Sequence, residues 1–96
     1  MNIMKPLQIG SVVLSDAGRD QTNYFLVVEL VGTKFVKIVD GDLHKLIKPK
    51  TKNVKHLQYN GDVIVNLAEK MINSKLIYDA EVYSALRKND SQNGGL

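Results

Sequence analysis

The chain has 96 residues, room for one domain or for one small domain with a short appendage. It has no cysteine, which excludes disulfides, thiolate chemistry and cysteine-ligated zinc, and suits a cytoplasmic protein stabilised by packing alone. The net charge of +3 is unevenly placed: residues 1–57 hold nine Lys/Arg against five Asp/Glu, whereas residues 58–96 hold four against five.

In chain order, Met1 to Pro6 enters a polar–apolar alternation without a long apolar stretch, so no signal peptide is expected. Nowhere does an apolar run approach the roughly 20 residues of a membrane span. Ser11 to Ser15 reads as a short strand bounded by Gly10 and by Asp16-Ala17-Gly18. Tyr24 to Val31 is rich in β-branched and aromatic residues, which suit a pleated, half-buried surface. Gly32-Thr33 predicts a two-residue hairpin turn, and Lys34 to Asp40 a strand whose imperfect alternation predicts a bulge or bend. Asp40-Gly41-Asp42 is the next turn. Leu43 to Lys48 reads as another strand, stopped by Pro49, and Asn53 to Leu57 as a last strand or single turn. Closely spaced strands of this kind predict a small barrel or sandwich.

The period then changes. Val63, Ile64, Leu67, Ala68, Met71 and Ile72 recur at steps of three and four, predicting a helix over 62–73. Ile77, Ala80, Val82, Tyr83 and Leu86 predict a second over 79–88, with Asp79 as N-cap and Arg87-Lys88 at the negative end of its dipole. Residues 89–96 read as a disordered polar tail.

Ile9-Gly10-Ser11-Val12-Val13-Leu14-Ser15-Asp16-Ala17-Gly18-Arg19-Asp20, followed by Tyr24 to Val28, resembles a KOW motif, with apolar residues alternating around a glycine, here Gly18. Val39-Asp40-Gly41-Asp42-Leu43-His44-Lys45-Leu46, then Lys48-Pro49-Lys50 and Asn53-Val54-Lys55-His56-Leu57, extend the likeness over residues 8–57. The stretch is similar to the KOW domain of the fourteen-e group of large-subunit ribosomal proteins and to short bacterial KOW-domain RNA-binding proteins. This resemblance implies an SH3-like barrel over 8–57; with the two helices read from periodicity, the expected fold is mainly β with a helical C-terminal extension over 62–88. It also implies binding to ribosomal RNA of the large subunit, with no catalytic residue and no cofactor. Where the family continues with a basic residue and a glycine, this chain reads Gln21-Thr22-Asn23, which moves the expected weight of binding to the lysines further on.

From His44 to His56 the chain carries Lys45, Lys48, Lys50, Lys52 and Lys55 and no acid. Lysine ammoniums suit phosphate neutralisation and counterion release; the bland alternative is a solvated surface. Leu46, Ile47, Val54 and Leu57 are the expected anchors of this run to a core. Arg19 is a candidate phosphate or base contact, against an ion pair with Asp16 or Asp20 within its own loop. Gly18, Asp40 and Gly41 read as turn architecture. His44 and His56 without cysteine make a poor metal site, so no metal is expected, while His56 is a candidate for stacking or a phosphate contact. Tyr24 is the candidate exposed stacking residue, with Phe25 on the opposite, core face, and Phe35 a further candidate. Tyr59, Tyr78 and Tyr83 read as helix-packing residues. No Ser/His/Asp set, phosphate loop or nucleotide fingerprint is present. The expectation is therefore a cytoplasmic, non-enzymatic RNA-binding protein without a small-molecule substrate or membrane partner. The rival is an SH3-like protein-interaction module whose C-terminal helices dock a protein partner.

Overall fold

The computed structural model describes residues 6–15 and 24–94, with side chains up to Asn89. Gly18, Arg19 and Gln21-Thr22-Asn23 lie outside the described residues. The chain forms a five-stranded antiparallel sheet and two helices: β1 (Val12–Ser15), β2 (Tyr24–Val31), β3 (Phe35–Val39), β4 (Lys50–Asn53), β5 (Leu57–Gln58), α1 (Val65–Ile72) and α2 (Asp79–Gly94). The sheet order is β4-β3-β2-β1-β5. It is a small, β-rich domain of mixed strand and helix.

The sheet is not a closed barrel, because β4 and β5 are its two edges and do not pair with each other. It is nonetheless strongly curled, for a reason of chain length. In a flat sheet the edges would lie about 19 Å apart, four strand spacings. Here only the 3-10 turn Val54–His56 joins them, and a turn of that kind rises about 2 Å per residue. The edges must therefore approach one another where the turn links them.

Register assigns the side chains to two faces. Val13, Phe25, Val27, Val36 and Ile38 form the inner core, against which Leu7, Val54, Leu57 and Tyr59 pack. Val12, Leu26 and Val39 occupy the outer face and share a second core with Leu67, Ile77, Val82 and Leu86. The helices are thus one wall of a core whose other wall is the sheet. The predicted bulge falls on β2, not on Lys34 to Asp40: Val27 pairs with Ile38 and Glu29 with Lys37, leaving Val28 over. Val28 follows Leu26 onto the helical side by ordinary alternation, and the extra residue shifts the phase beyond it, so that Leu30, opposite Val36, follows Val27 onto the inner side after three residues instead of two. The hairpin turn holds Gly32, Thr33 and Lys34 between the paired Val31 and Phe35, one residue more than expected.

Leu43 to Lys48 is a loop rather than a strand. Asp40 Oδ1 accepts the N–H groups of Asp42 (2.9 Å) and His44 (2.8 Å), and the His44 carbonyl accepts those of Asp40 and Gly41. Lys48 donates to the Lys45 carbonyl and Leu46 to Asp79, so the donors a ladder needs are already committed. The missing strand is Lys50–Asn53, pairing Lys52 with Val36 and Lys50 with Ile38. Asn53 then caps the 3-10 turn by accepting the Lys55 N–H.

Both helices form where the apolar period predicted them, with shifted ends. α1 starts at Val65, and α2 continues past Lys88 to Gly94, so the expected tail is helical over 89–94. Asp79 is not the N-cap. It lies inside the first turn, and Glu81 instead accepts the N–H of Tyr78 at 3.0 Å, the return half of a capping box. Lys70 donates to the same carboxylate at 2.8 Å and ties α1 to α2.

Candidate nucleic-acid interface

The basic run divides over three supports. Lys45 and Lys48 are exposed on the loop after β3, Lys50 and Lys52 are half-buried on edge strand β4, and Lys55 and His56 are exposed on the 3-10 turn. Lys50 and Lys52 sit opposite Ile38 and Val36, which places them on the inner face about 7 Å apart. Half-buried on that face, they suit the arrangement long cationic side chains adopt, with the stem along apolar surface and the ammonium in water. Among the described residues, Lys45, Lys48, Lys52 and Lys55 form no ion pair. Lysines on a sheet edge also discourage strand-to-strand association, but that role asks nothing of Lys45, Lys48 and Lys55, which lie off the strand.

The loop that carries Lys45 and Lys48 is built, not slack. Gly41 has φ +78°, and a Cβ there would overlap the Asp79 carbonyl oxygen and the Tyr83 backbone nitrogen. Only glycine lets the turn lie directly on α2. Asp79 Oδ1 then accepts the Leu46 N–H at 2.8 Å, and Leu46 packs into the outer core. Asp40 and Gly41 thus build this turn. Gly41 has a second function, close approach to a helix 38 residues on, which no local pattern signals.

Other assignments separate. Tyr24 is half-buried against the outer core, on the face opposite Lys50 and Lys52. With Tyr59 and Asp62 it lines a cleft of about 290 Å³. The structure does not bring it to the lysines. Phe25 is fully buried, and the His44 ring leans on it at 5.8 Å. Ile47 anchors nothing, being 93% exposed, whereas Leu46, Val54 and Leu57 do pack on the cores. Tyr59 packs on the inner core rather than on a helix, and Tyr78 and Tyr83 are exposed. Tyr83 lies under the Arg87 guanidinium (4.9 Å) and accepts its hydrogen bond at 2.9 Å.

Two residues outside the basic run belong beside it. The Lys34 carbonyl accepts the Val54 N–H at 2.8 Å, which sets the hairpin turn next to Lys55 and His56. Phe35, 41% exposed and paired with Asn53, sits at the same end. The β3–β4 register makes this juxtaposition, and no spacing along the chain announces it. Among the described residues no group of three or more metal-ligating side chains occurs, and no helix is long and apolar enough to cross a membrane. No protein-family profile matches the chain, and no curated protein is significantly similar to it.

Proposed function

We propose that this protein is a cytoplasmic RNA-binding module with an SH3-like, partly open β-barrel that binds ribosomal RNA of the large subunit in translation or ribosome assembly. The observation that carries the reading is the distribution of Lys45, Lys48, Lys50, Lys52, Lys55 and His56. They form an acid-free run over a pinned loop, an edge strand and a 3-10 turn, with Lys34 brought alongside. Successive cations on ordered backbone suit a phosphate chain, whose neutralisation releases counterions and positions the RNA without reading its bases. The KOW resemblance over 8–57 supplies the RNA class, and the curled sheet agrees in outline with an SH3-like barrel. Arg19 and Gly18 enter through that resemblance alone. The mechanism needs neither cofactor nor catalytic group.

Exchanging Lys48, Lys50 and Lys52 for Glu tests the proposal in filter binding at several salt concentrations. The expected result is loss of RNA binding with retained thermal unfolding. Milder Gln exchanges are expected to flatten the log–log salt slope by about 2–3 units, from some 0.7–0.9 per phosphate contact. Unchanged affinity and slope overturn the reading.

A second reading, a protein-interaction module, is favoured by exposed Ile72 (66%), Leu76 (71%) and Tyr78 (60%) at the end of α1 and in the α1–α2 link. Sucrose-gradient sedimentation separates the two. Salt-reversible migration with large ribosomal subunits supports RNA binding, and association with a protein that survives nuclease supports the second reading.

A further inference from the structure

The loop that carries Lys45 and Lys48 also carries two aliphatic side chains held out in water, Leu43 (72% exposed) and Ile47 (93% exposed). A lone exposed aliphatic is ordinary on a protein surface, so exposure by itself decides nothing. The mounting is what distinguishes this pair. Leu43 lies between Asp42 and His44, whose N–H groups are both taken by the Asp40 carboxylate. Ile47 lies between Leu46, bonded to Asp79, and Lys48, bonded to the Lys45 carbonyl. Each aliphatic residue thus has hydrogen-bonded backbone on both sides, and Leu46 between them packs, half-buried, against the outer core. Moving the backbone on either side of Ile47 would break these bonds.

We propose that Leu43 and Ile47 form an apolar contact that packs against unstacked bases of RNA where a helix is interrupted, while Lys45 and Lys48 hold the flanking phosphates. The inference rests on the RNA-binding reading above and adds to it the kind of RNA bound. Regular A-form helix keeps its base faces stacked, and its deep major groove admits no side chain. A bulge or internal loop exposes base faces, which an aliphatic pair on fixed backbone meets without further ordering. Charge favours RNA over a lipid surface as the occupant. The cations do not ring the loop tip but continue away from it along β4 and the turn to Lys55 and His56, as a phosphate chain requires.

The test compares three probes with the full chain: a continuous RNA duplex, the same duplex carrying a bulge, and vesicles of mixed phosphatidylcholine and phosphatidylserine. The chain is expected to bind the bulged duplex about tenfold more tightly, of the order that burying part of one aliphatic side chain contributes. In the double variant Leu43→Ser/Ile47→Ser that preference disappears, with affinity for the bulged duplex falling to that for the continuous one. Ile47→Ala, which trims the side chain alone, shows a partial loss and guards against an effect of the double exchange on folding. A preference that survives the double variant, or an equal loss on both RNAs, overturns the inference. So does vesicle binding that is lost in the double variant while RNA binding is untouched. If the chain binds both duplexes equally and the Lys48, Lys50 and Lys52 exchanges abolish that binding, this inference fails and the RNA-binding reading stands. If neither duplex is bound, both fail.

Discussion

Between His44 and His56 the backbone is held by hydrogen bonds while most charged side chains reach solvent; from Val65 to Leu86 buried side chains do the holding. In the first region Asp40, Asn53 and Asp79 supply carbonyl or carboxylate oxygens to neighbouring N–H groups, and Lys45, Lys48, Lys55 and His56 remain exposed. In the second, Leu67, Ile77, Val82 and Leu86 are buried against the outer face of the sheet. A surface meant for a partner benefits from the first arrangement, because its order does not consume the side chains that bind. The two regions are still not independent. Gly41 lies on α2, and Asp79 of α2 holds Leu46, so the helical layer is the mount for the basic loop.

Four perturbations break or sharpen this contrast, from the largest expected effect to the smallest. Leu86→Ala empties a buried site between α2 and the sheet and is expected to cost about 2–5 kcal/mol in urea unfolding. A loss well under 1 kcal/mol on that scale would instead make α2 a loosely attached extension. Gly41→Ala forces a side chain into left-handed backbone, worth about 1–2 kcal/mol, and into the α2 backbone as well. It should lower stability and speed amide exchange in the 41–48 loop and the start of α2 together. Exchange confined to the loop would show that the contact does not couple them.

Asp79→Ala removes the acceptor of the Leu46 N–H and is expected to cost about 1 kcal/mol. The Leu46 amide should lose protection selectively, and RNA affinity should fall although no cation has been removed. Normal affinity with a released Leu46 amide would separate loop order from binding. The smallest effect concerns pH. Hydrogen bonding to Lys70, and then to the Tyr78 N–H, holds the Glu81 carboxyl below its ordinary value. The stabilisation is complete above the unfolded glutamate pKa of about 4.3 and is lost as pH falls through the lowered folded value. The difference in unfolding midpoint between the native chain and Glu81→Gln should therefore be present near neutrality and close in acid, and salt should shrink it throughout.

Legibility followed the physical origin of each element. Both helices were readable because burial on one face imposes a period on the apolar residues, and β1, β2 and β3 because burial on both faces makes them short runs rich in β-branched residues. β4 was not, because Lys50-Thr51-Lys52-Asn53 has no apolar residue and belongs to the sheet through backbone pairing with β3. Leu43 to Lys48 misled in the opposite sense: a short mixed apolar and basic stretch between a turn and Pro49 resembles a strand, yet Asp40 and Asp79 take donors a strand would use. Asp79 lies 33 residues from Leu46, beyond any local pattern. Tyr24 and the lysines, all candidates by residue type, were parted by the strand register onto opposite faces.

By itself the amino-acid sequence determined what composition and periodicity carry: a cysteine-free chain with a basic, strand-forming first part and a near-neutral, helix-forming second part. It also confined the excess charge to the acid-free run from His44 to His56. Tertiary structure alone decided which lysines share a support, that Lys34 and Phe35 stand beside them, and that Leu43 and Ile47 face water. The reason is that these outcomes depend on pairings between distant segments. Register, the curl forced by a three-residue link between edge strands, and the seating of Gly41 on α2 arise only when the whole chain packs.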